Sequence, residues 1–239
     1  MPVAGSDPQP AWSALTWRAL KAELYPRFRS LTDDVPVMSA EIRAFLDARR
    51  TADAGLSVLD FGGGSGELVG AAVKPQDHHV IIESGDDRSS ALTNQSAPFD
   101  ALIFSHVLAF IADPIGLFAE LAAYSQPRAG WLAIVLDDTG TQGDICREAA
   151  KTDARFLNHF GQAQTLAPLL DAAGIRFSSH TIVTRAVARS RDDLLAVVSF
   201  HLDGVVDELT ERLASTIAPE PNGDYVLTMD HRVFTWPSD

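Results

Sequence analysis

The fold is decided by Ser57-Val58-Leu59-Asp60-Phe61-Gly62-Gly63-Gly64-Ser65-Gly66-Glu67, an apolar run that passes directly into glycines. Its first five residues predict a buried strand, and a helix is expected to begin near Ser65. Glycine permits a sharp turn with positive φ and lets a ligand approach the backbone without a Cβ in the way. The following helix points free N–H groups and its positive dipole end toward that ligand. The stretch therefore predicts a strand, a ligand-binding turn and a helix, with a tight turn that binds nothing as the alternative.

The composition indicates one globular domain whose partner is neither a nucleic acid nor a membrane. The chain has 239 residues, 46% of them hydrophobic, and a net charge of −13. This length suffices to bury a full α/β core. Neutralising phosphates requires clustered Lys and Arg, and no basic cluster occurs. A single cysteine, Cys146, excludes a disulfide framework and a cysteine-based metal site.

The N-terminal residues do not resemble a targeting segment. Residues 1–10 lack the basic and apolar parts of a signal peptide, so we expect them to form a disordered tail. No run approaches the roughly 20 apolar residues that a membrane span requires. We therefore expect a cytoplasmic protein.

Residues 11–54 are expected to form an N-terminal helical cover. An amphipathic helix is predicted to stop near Pro26, and Ser39 is a candidate N-cap of a second helix. Because both helices precede the first strand, they could close the ligand site. Alternatively, they only cover one face of the sheet.

From Leu56 onward, strand and helix patterns alternate. Strands are expected at 57–61, 79–83, 100–104, 130–136, within 175–187 and at 224–234, and the clearest helices at 65–72, from Asp113-Pro114, at 164–173 and within 192–214. This order predicts an α/β fold with a mostly parallel sheet covered by helices on both faces. Only sixteen residues separate Glu83 from Asp100, so we expect the third-strand region to be shortened.

Four segments together resemble class I S-adenosylmethionine-dependent methyltransferases of the small-molecule branch, from about Leu56 to the C-terminus. They are the D-x-G-x-G-x-G turn at Asp60–Gly66 followed by Glu67, the acidic Glu83 after the second strand, the run Phe99–Leu108 with Ile111–Pro114, and Gln126–Trp131. The resemblance implies a Rossmann-like sheet whose last strand is antiparallel. It assigns residues 55–239 to an S-adenosylmethionine-binding domain, with substrate cover elements within about 139–165 and 189–222.

Two further comparisons bear on this assignment. A dinucleotide oxidoreductase also uses a glycine turn and an acidic second strand, but its G-x-G-x-x-G spacing does not match Gly62–Gly66. A weaker resemblance, based on the order of segments, is to the histamine N-methyltransferase group. It rests on Gly62–Glu67 and on the stretch Asp144–Leu170 after the central strand.

The resemblance implies S-adenosyl-L-methionine as the cofactor and assigns residues to its binding. Asp60 would accept the amino group of the methionine end, and Glu83 would accept hydrogen bonds from the ribose hydroxyls. The alternative for Glu83 is a solvated strand end. The full set of expected cofactor contacts is Asp60, Phe61, Gly62, Gly63, Gly64, Gly66, Glu83, Ser84, Asn94, Ser105, His106 and Val107.

His106 is the only histidine that the sequence places at the expected reaction centre. It is the candidate catalytic or substrate-contacting residue, and a packing histidine is the alternative. The expected substrate-binding residues are Tyr25, Phe110, Asp137 and His159. No metal is expected, because the segment Ser105-His106-Val107 lacks the carboxylate that would join Asp137 and Asp138 in a magnesium site.

The expected activity is transfer of a methyl group to a small molecule, with nitrogen preferred over oxygen, in specialised metabolism. Alignment of the nucleophile, the methyl carbon and the leaving sulfur would be the main contribution of the enzyme. The alternative is an S-adenosylmethionine-binding protein without methyl transfer, such as a cyclase or a regulatory subunit. The expected partner is a small molecule, and a homodimer is left open.

Overall fold

The computed structural model describes residues 24–51, 54–83, 92, 98–152, 162–202 and 207–237. Its strands are β1 (Ser57–Phe61), β2 (His78–Ile82), β3 (Phe99–Ser105), β4 (Ser125–Leu136), β5 (Ser178–Ala188) and β6 (Tyr225–Pro237). Its helices are α1 (Asp34–Asp47), α2 (Glu67–Gly70), α3 (Pro114–Ala122), α4 (Gly140–Ala150), α5 (Gln162–Ala172), α6 (Arg191–His201) and α7 (Glu208–Ala214). Residues 24–31 are also helical, and Leu108–Phe110 form a 3₁₀ turn.

Within the described residues the strands form one six-stranded sheet in the order β2-β1-β3-β4-β6-β5. The pairs β1–β2, β1–β3 and β3–β4 are parallel, whereas β6 runs antiparallel to both β4 and β5. The predicted fold class, a Rossmann-like and mostly parallel sheet with an antiparallel last strand, is confirmed. The predicted shortened third-strand region falls on residues 84–91 and 93–97, which lie outside the described residues.

Successive side chains of each strand point to opposite faces of the sheet, and in the central strands β1, β3 and β4 both sets are largely buried. In β1, Leu59 and Phe61 belong to the core under α3 and α5, whereas Val58 belongs to the core under α1. A further apolar cluster joins α4, α6 and α7 to the ends of β5 and β6. The glycine turn therefore directly follows β1, a strand that is buried on both sides.

The N-terminal segment contributes a helix to the core. Helix α1 places Met38, Ile42 and Leu46 in the core on one face of the sheet. The prediction that Ser39 caps this helix is wrong, because the helix begins at Asp34 and the Ser39 hydroxyl is used to donate to the Leu68 carbonyl at 2.8 Å. The expected stop near Pro26 is also wrong, since residues 24–31 are helical.

Two of the predicted helix ends are confirmed in detail. The Asp113 side chain accepts from the Gly116 N–H at 2.9 Å, with Pro114 in the first helical position of α3. Gly174 follows α5 with a φ of +71° and ends that helix. Among the described helices, none is long and apolar enough to cross a membrane.

Candidate active site

The glycine turn lies at the carboxyl end of β1, where the neighbouring parallel strands also end. Gly62 donates its N–H to the Ile82 carbonyl at 2.7 Å, which fixes the start of the turn against β2. Gly62, Gly64 and Gly66 have φ values of +71°, +60° and +71°, a region that other residues adopt only with strain. The alternating glycines of the motif are therefore required by the backbone.

Asp60 forms the floor of this turn. Its side chain is buried, and Oδ1 has no hydrogen-bond partner among the described residues. Gly63 passes so close above it that a Cβ at Gly63 would lie 2.2 Å from Oδ2. Nε2 of His79 lies 3.3 Å from the same Oδ2. Asp60 therefore presents a buried carboxylate with one oxygen left for a ligand.

Glu83 follows directly after β2, at the same edge of the sheet. The last pair of the parallel register, Phe61 with Ile82, puts Glu83 beside Gly62. Its side chain is half-buried. Two other expected cofactor contacts, Ser84 and Asn94, lie outside the described residues.

The end of β3 supplies the third side of the site. The Val107 side chain packs against Gly62. A Cβ at Gly62 would lie 2.2 Å from Cγ2 of Val107. Ser105 is the last residue of the strand, and its Oγ is buried with no partner within the described part of the chain. The segment Ser105–Val107 therefore adjoins the glycine turn.

His106 occupies an unusual backbone position in this segment. It is the one described non-glycine residue with a positive φ, +56°, and its N–H donates to the Ile134 carbonyl at 2.9 Å. Burial, together with the nearby Arg29 cation, lowers the pKa of His106 to about 4. The imidazole is therefore neutral near pH 7, and the left-handed backbone is the kind of strain that is found at functional sites.

The expectation of a single histidine at this place is corrected by the structure. The ring of His231, from β6, lies with its centroid 5.1 Å from that of His106 at an angle of 64°. Nε2 of His231 is 2.8 Å from Oγ1 of Thr184. A third imidazole, His201, is close enough to influence His231, and its Nδ1 is 2.9 Å from Nε2 of Gln142. Two neutral, buried imidazoles thus pack together at the end of β3, and a third lies near His231.

Sequence reasoning missed His231 because a histidine in a strand carries no motif. One signal was available: Leu227, Met229, His231 and Val233 occupy alternate positions of β6, and all four are buried. A single polar side chain in an otherwise apolar inward row must find a partner or a ligand.

The N-terminal helical segment reaches the site through Arg29. Its guanidinium Nη2 lies 3.1 Å from Oε2 of Glu67, the first residue of α2, and Nη1 lies 3.4 Å from Oδ2 of Asp34. The guanidinium also lies 5.6 Å above the ring of Tyr25. Burial raises the pKa of Tyr25, and the Arg29 charge opposes that effect. Tyr25, expected to bind substrate, therefore lies close to Arg29 and Glu67 near the turn.

The other expected substrate residues are placed differently. The Asp137 carboxylate is buried and accepts from Arg232 Nη2 and from Gln164 Nε2, both at 2.8 Å. Phe110 is half-buried in the 3₁₀ turn after His106, and His159 lies outside the described residues. Among the described residues, no group of three or more His, Cys, Asp or Glu side chains is placed to hold a metal ion.

The residues at this edge fit a cofactor with a cationic amino group and vicinal hydroxyls. The free oxygen of Asp60 suits the amino group, and a Cβ at Gly63 would lie 2.5 Å from that oxygen, so the glycine keeps it uncovered. The Glu83 carboxylate, one strand away, suits a pair of hydroxyl donors. These are the groups of S-adenosylmethionine that the sequence assigns to the same residues.

Comparisons with known proteins agree with this geometry. The sequence profile of a family described as "Methyltransferase domain" matches residues 34–179. Among solved structures, the chain resembles the plantazolicin methyltransferase BamL, in complex with a triazolic desmethylPZN analog and SAH, at 14% identity and a TM-score of 0.51, over 93% of this chain and 94% of that one. It also resembles the plantazolicin methyltransferase BpumL, in complex with SAH, at 11% identity and a TM-score of 0.50, over 94% and 91% of the two chains.

These structural likenesses show a shared fold. No curated protein matches the sequence. The narrower resemblance to the histamine N-methyltransferase group stays a prediction. The family match covers more than half of the chain and includes the glycine turn, Glu83 and the Ser105–Val107 segment. The chain therefore belongs to the methyltransferase-domain family and is a class I S-adenosylmethionine-dependent methyltransferase.

Proposed function

We propose that the protein transfers the methyl group of S-adenosylmethionine to a nitrogen atom of a small-molecule acceptor. The observation that carries the proposal is the meeting of two sets of groups at one sheet edge. One set is the glycine turn with the free Oδ1 of Asp60, and the other is the neutral imidazole of His106 next to it. The first set suits the cofactor, and the second suits an acceptor.

The cofactor would be held by residues of β1, β2 and β3. Asp60 would accept a hydrogen bond from the amino group, and Glu83 would accept hydrogen bonds from the ribose hydroxyls. Val107 would pack against the turn at Gly62. When bound, S-adenosylmethionine supplies an electrophilic methyl group on a positively charged sulfur. The residues of this chain would hold that group in line with the acceptor, which is the main source of acceleration in such a transfer.

The preference for nitrogen rests on the weak basicity of the site. Burial lowers the pKa of His106 to about 4 and lowers the pKa of His231 well below its ordinary value. Such imidazoles are poorly matched to deprotonating an alcohol or a phenol, since an efficient base has a pKa near the operating pH. A neutral amine or heteroaromatic nitrogen attacks with its own lone pair and needs no strong base.

Two other functions remain as alternatives, and each would produce a different result in the same assay. An oxygen acceptor would require a stronger base than the described histidines provide. A cyclase or regulatory subunit would bind the cofactor without transferring its methyl group. A role in specialised metabolism and a cytoplasmic location stay predictions.

The proposal is tested by calorimetric titration with S-adenosylmethionine and its demethylated product, followed by assays with a panel of amines and phenols. We expect binding of both cofactor forms and methylated product from one or more amines. Binding without any product would favour the regulatory alternative, and product from phenols alone would favour oxygen. Absence of cofactor binding would contradict the proposal as a whole.

Glu83 provides a separate test of the cofactor site. We expect Glu83→Ala to weaken cofactor binding by about 1.5–3 kcal/mol, the scale of lost hydrogen bonds to a charged group. The matched control is Glu220→Ala, because Glu220 is exposed and lies near β6, away from the glycine turn. Equal affinities for the variant and the wild type, measured by calorimetry, would show that Glu83 is a solvated strand end.

A further inference from the structure

His231 is buried in the middle of the sheet, next to the candidate active site. It is 2% exposed and lies in β6 between Leu136 of β4 and Ile182 of β5. Its ring packs edge-on against His106, and Val107, the next residue, contacts the glycine turn. Only one imidazole ring therefore separates His231 from the residues assigned to the cofactor.

Thr184 is the hydrogen-bond partner of His231 that bears on which ring nitrogen carries the proton. The Thr184 hydroxyl is completely buried and lies 2.8 Å from Nε2 of His231. Thr184 also lies close to the buried Asp34 carboxylate, whose Oδ1 has no hydrogen bond to the described residues. Burial raises the pKa of Asp34, and the nearby Thr184 hydroxyl and the Arg29 charge oppose the rise. An ionised carboxylate can only accept, so a threonine proton turned toward Asp34 leaves the threonine oxygen to accept from Nε2–H. Nδ1 then carries the lone pair.

This lone pair has no partner among the described residues. Nδ1 of His231 is buried and without a hydrogen bond, and the same is true of Nδ1 of His106 beside it. Buried polar atoms in folded proteins are nearly always hydrogen-bonded, so two such atoms in adjacent rings require an explanation. A ligand with a hydrogen to donate would satisfy them.

We propose that His231 accepts a hydrogen bond from the N–H of the methyl acceptor and that Thr184 keeps Nδ1 available for this bond. This inference rests on the proposed function and extends it to the choice of substrate. His231 turns the acceptor so that its lone pair faces away from the N–H and toward the methyl group. Thr184 is a positioning residue, since it acts through His231.

The arrangement selects one class of acceptor. A primary or secondary amine, or a heteroaromatic ring with an N–H, satisfies Nδ1, whereas a fully substituted nitrogen leaves it unpaired. A site built to bind a hydrogen-bond donor discriminates strongly against an analogue that lacks the donor.

Isotope-edited NMR of the imidazole nitrogens tests the binding step without knowledge of the natural acceptor. The complex with the demethylated cofactor product is titrated with aniline, which has N–H donors, and with N,N-dimethylaniline, which has none. We expect His231 to carry its proton on Nε2 and its Nδ1 signal to respond to aniline only. A proton on Nδ1 of His231 would overturn the proposal. So would an Nδ1 signal that responds equally to the two probes or responds to neither.

The Thr184 variants test the relay. In Thr184→Val, which preserves the volume of the side chain, we expect loss of the fixed tautomer and a rise of about tenfold or more in KM for any acceptor that is turned over, the scale of a lost buried hydrogen bond. Thr184→Ser should restore both, and cofactor affinity should stay unchanged. The matched control is Thr181→Val, on the exposed face of the same strand.

Two results separate this inference from the function on which it rests. An unchanged KM and an unchanged tautomer in Thr184→Val would contradict the role of His231 and leave methyl transfer intact. Absence of turnover with every acceptor would contradict the proposed function, while the NMR titration would still decide whether His231 binds N–H donors.

Discussion

At the scale of single residues, Gly63 shows how closely the turn is fitted to Asp60. A Cβ at Gly63 would lie within 2.5 Å of all three carboxyl atoms of Asp60. Those atoms include the oxygen that is left free for a ligand. The residue is therefore a glycine because of the carboxylate below it, and no positive φ is needed to explain it.

Substitution of Gly63 by alanine should consequently impair cofactor binding. The added methyl group forces the Asp60 carboxyl to rotate, so we expect Gly63→Ala to lose about tenfold or more in affinity, equivalent to about 1.4 kcal/mol. Gly70→Ala is the matched control, because a Cβ there has no heavy atom within 4 Å. It should bind like the wild type and slightly stabilise α2. Calorimetry with the demethylated cofactor product measures both, and equal affinities would show that Asp60 does not contact the cofactor.

The residue scale also shows which parts of the site the sequence could not provide. Asp60 lies near the end of β1 and Glu83 directly follows β2, both within a recognisable motif, so their place was predictable. His231 and Thr184 lie on strands that meet only through the final antiparallel pairing of β5 and β6. That pairing depends on the register of two strands that are distant in sequence, and no local pattern specifies it.

At the scale of elements, the buried ion pair of Arg50 and Asp77 joins the end of α1 to the sheet. The two side chains form a bidentate pair with both distances at 2.5 Å, and their exposed fractions are 7% and 0%. Asp77 also accepts from the backbone N–H of Leu56 and of Lys74. Hydrogen bonding to Arg50 is the main reason why the pKa of Asp77 falls to about 2. One carboxylate thus connects α1, the start of β1 and the turn before β2.

Removing this charge should loosen the attachment of α1. We expect Asp77→Asn to destabilise the protein by about 3–5 kcal/mol, because it leaves Arg50 buried without its counter-charge. Asp47→Asn, which removes the exposed partner of the same arginine, should have a much smaller effect. The free energy of unfolding in urea, measured near pH 7, distinguishes the two variants. A small loss for Asp77→Asn would mean that the backbone hydrogen bonds alone hold this corner.

The elements themselves were largely predictable, and the errors have physical causes. The end signals at Asp113-Pro114 and Gly174 are local and were correct. Helix α1 begins five residues before Ser39 because its burial against the sheet extends it, and serine is used there for a tertiary hydrogen bond. Strand β4 begins at Ser125, before the apolar run at Gly130, because Ser125 pairs with Phe99 of β3 ahead of a register shift. Tertiary contacts set these boundaries.

At the scale of the whole molecule, three imidazoles from β6, α6 and the end of β3 are brought together without charge. Burial lowers the pKa of His201 to about 3, and burial with Arg29 lowers that of His106 to about 4. The pKa of His231 is also lowered well below its ordinary value. An unfolded histidine has a pKa of about 6.5. Between about pH 6.5 and 4 the unfolded chain therefore binds more protons than the folded one.

The sign of the linkage then makes the protein sensitive to acid in a defined range. Stability should be complete above about pH 6.5 and should decline as the pH falls toward 4, by up to about 1.4 kcal/mol per pH unit for each buried imidazole. Urea unfolding at several pH values across this range measures the slope. His201→Gln should reduce it, whereas His180→Gln should not, since that side chain is 52% exposed. A stability that stays constant across this range would show that the histidines are protonated in the folded protein, and the neutral acceptor site proposed around them would then be wrong.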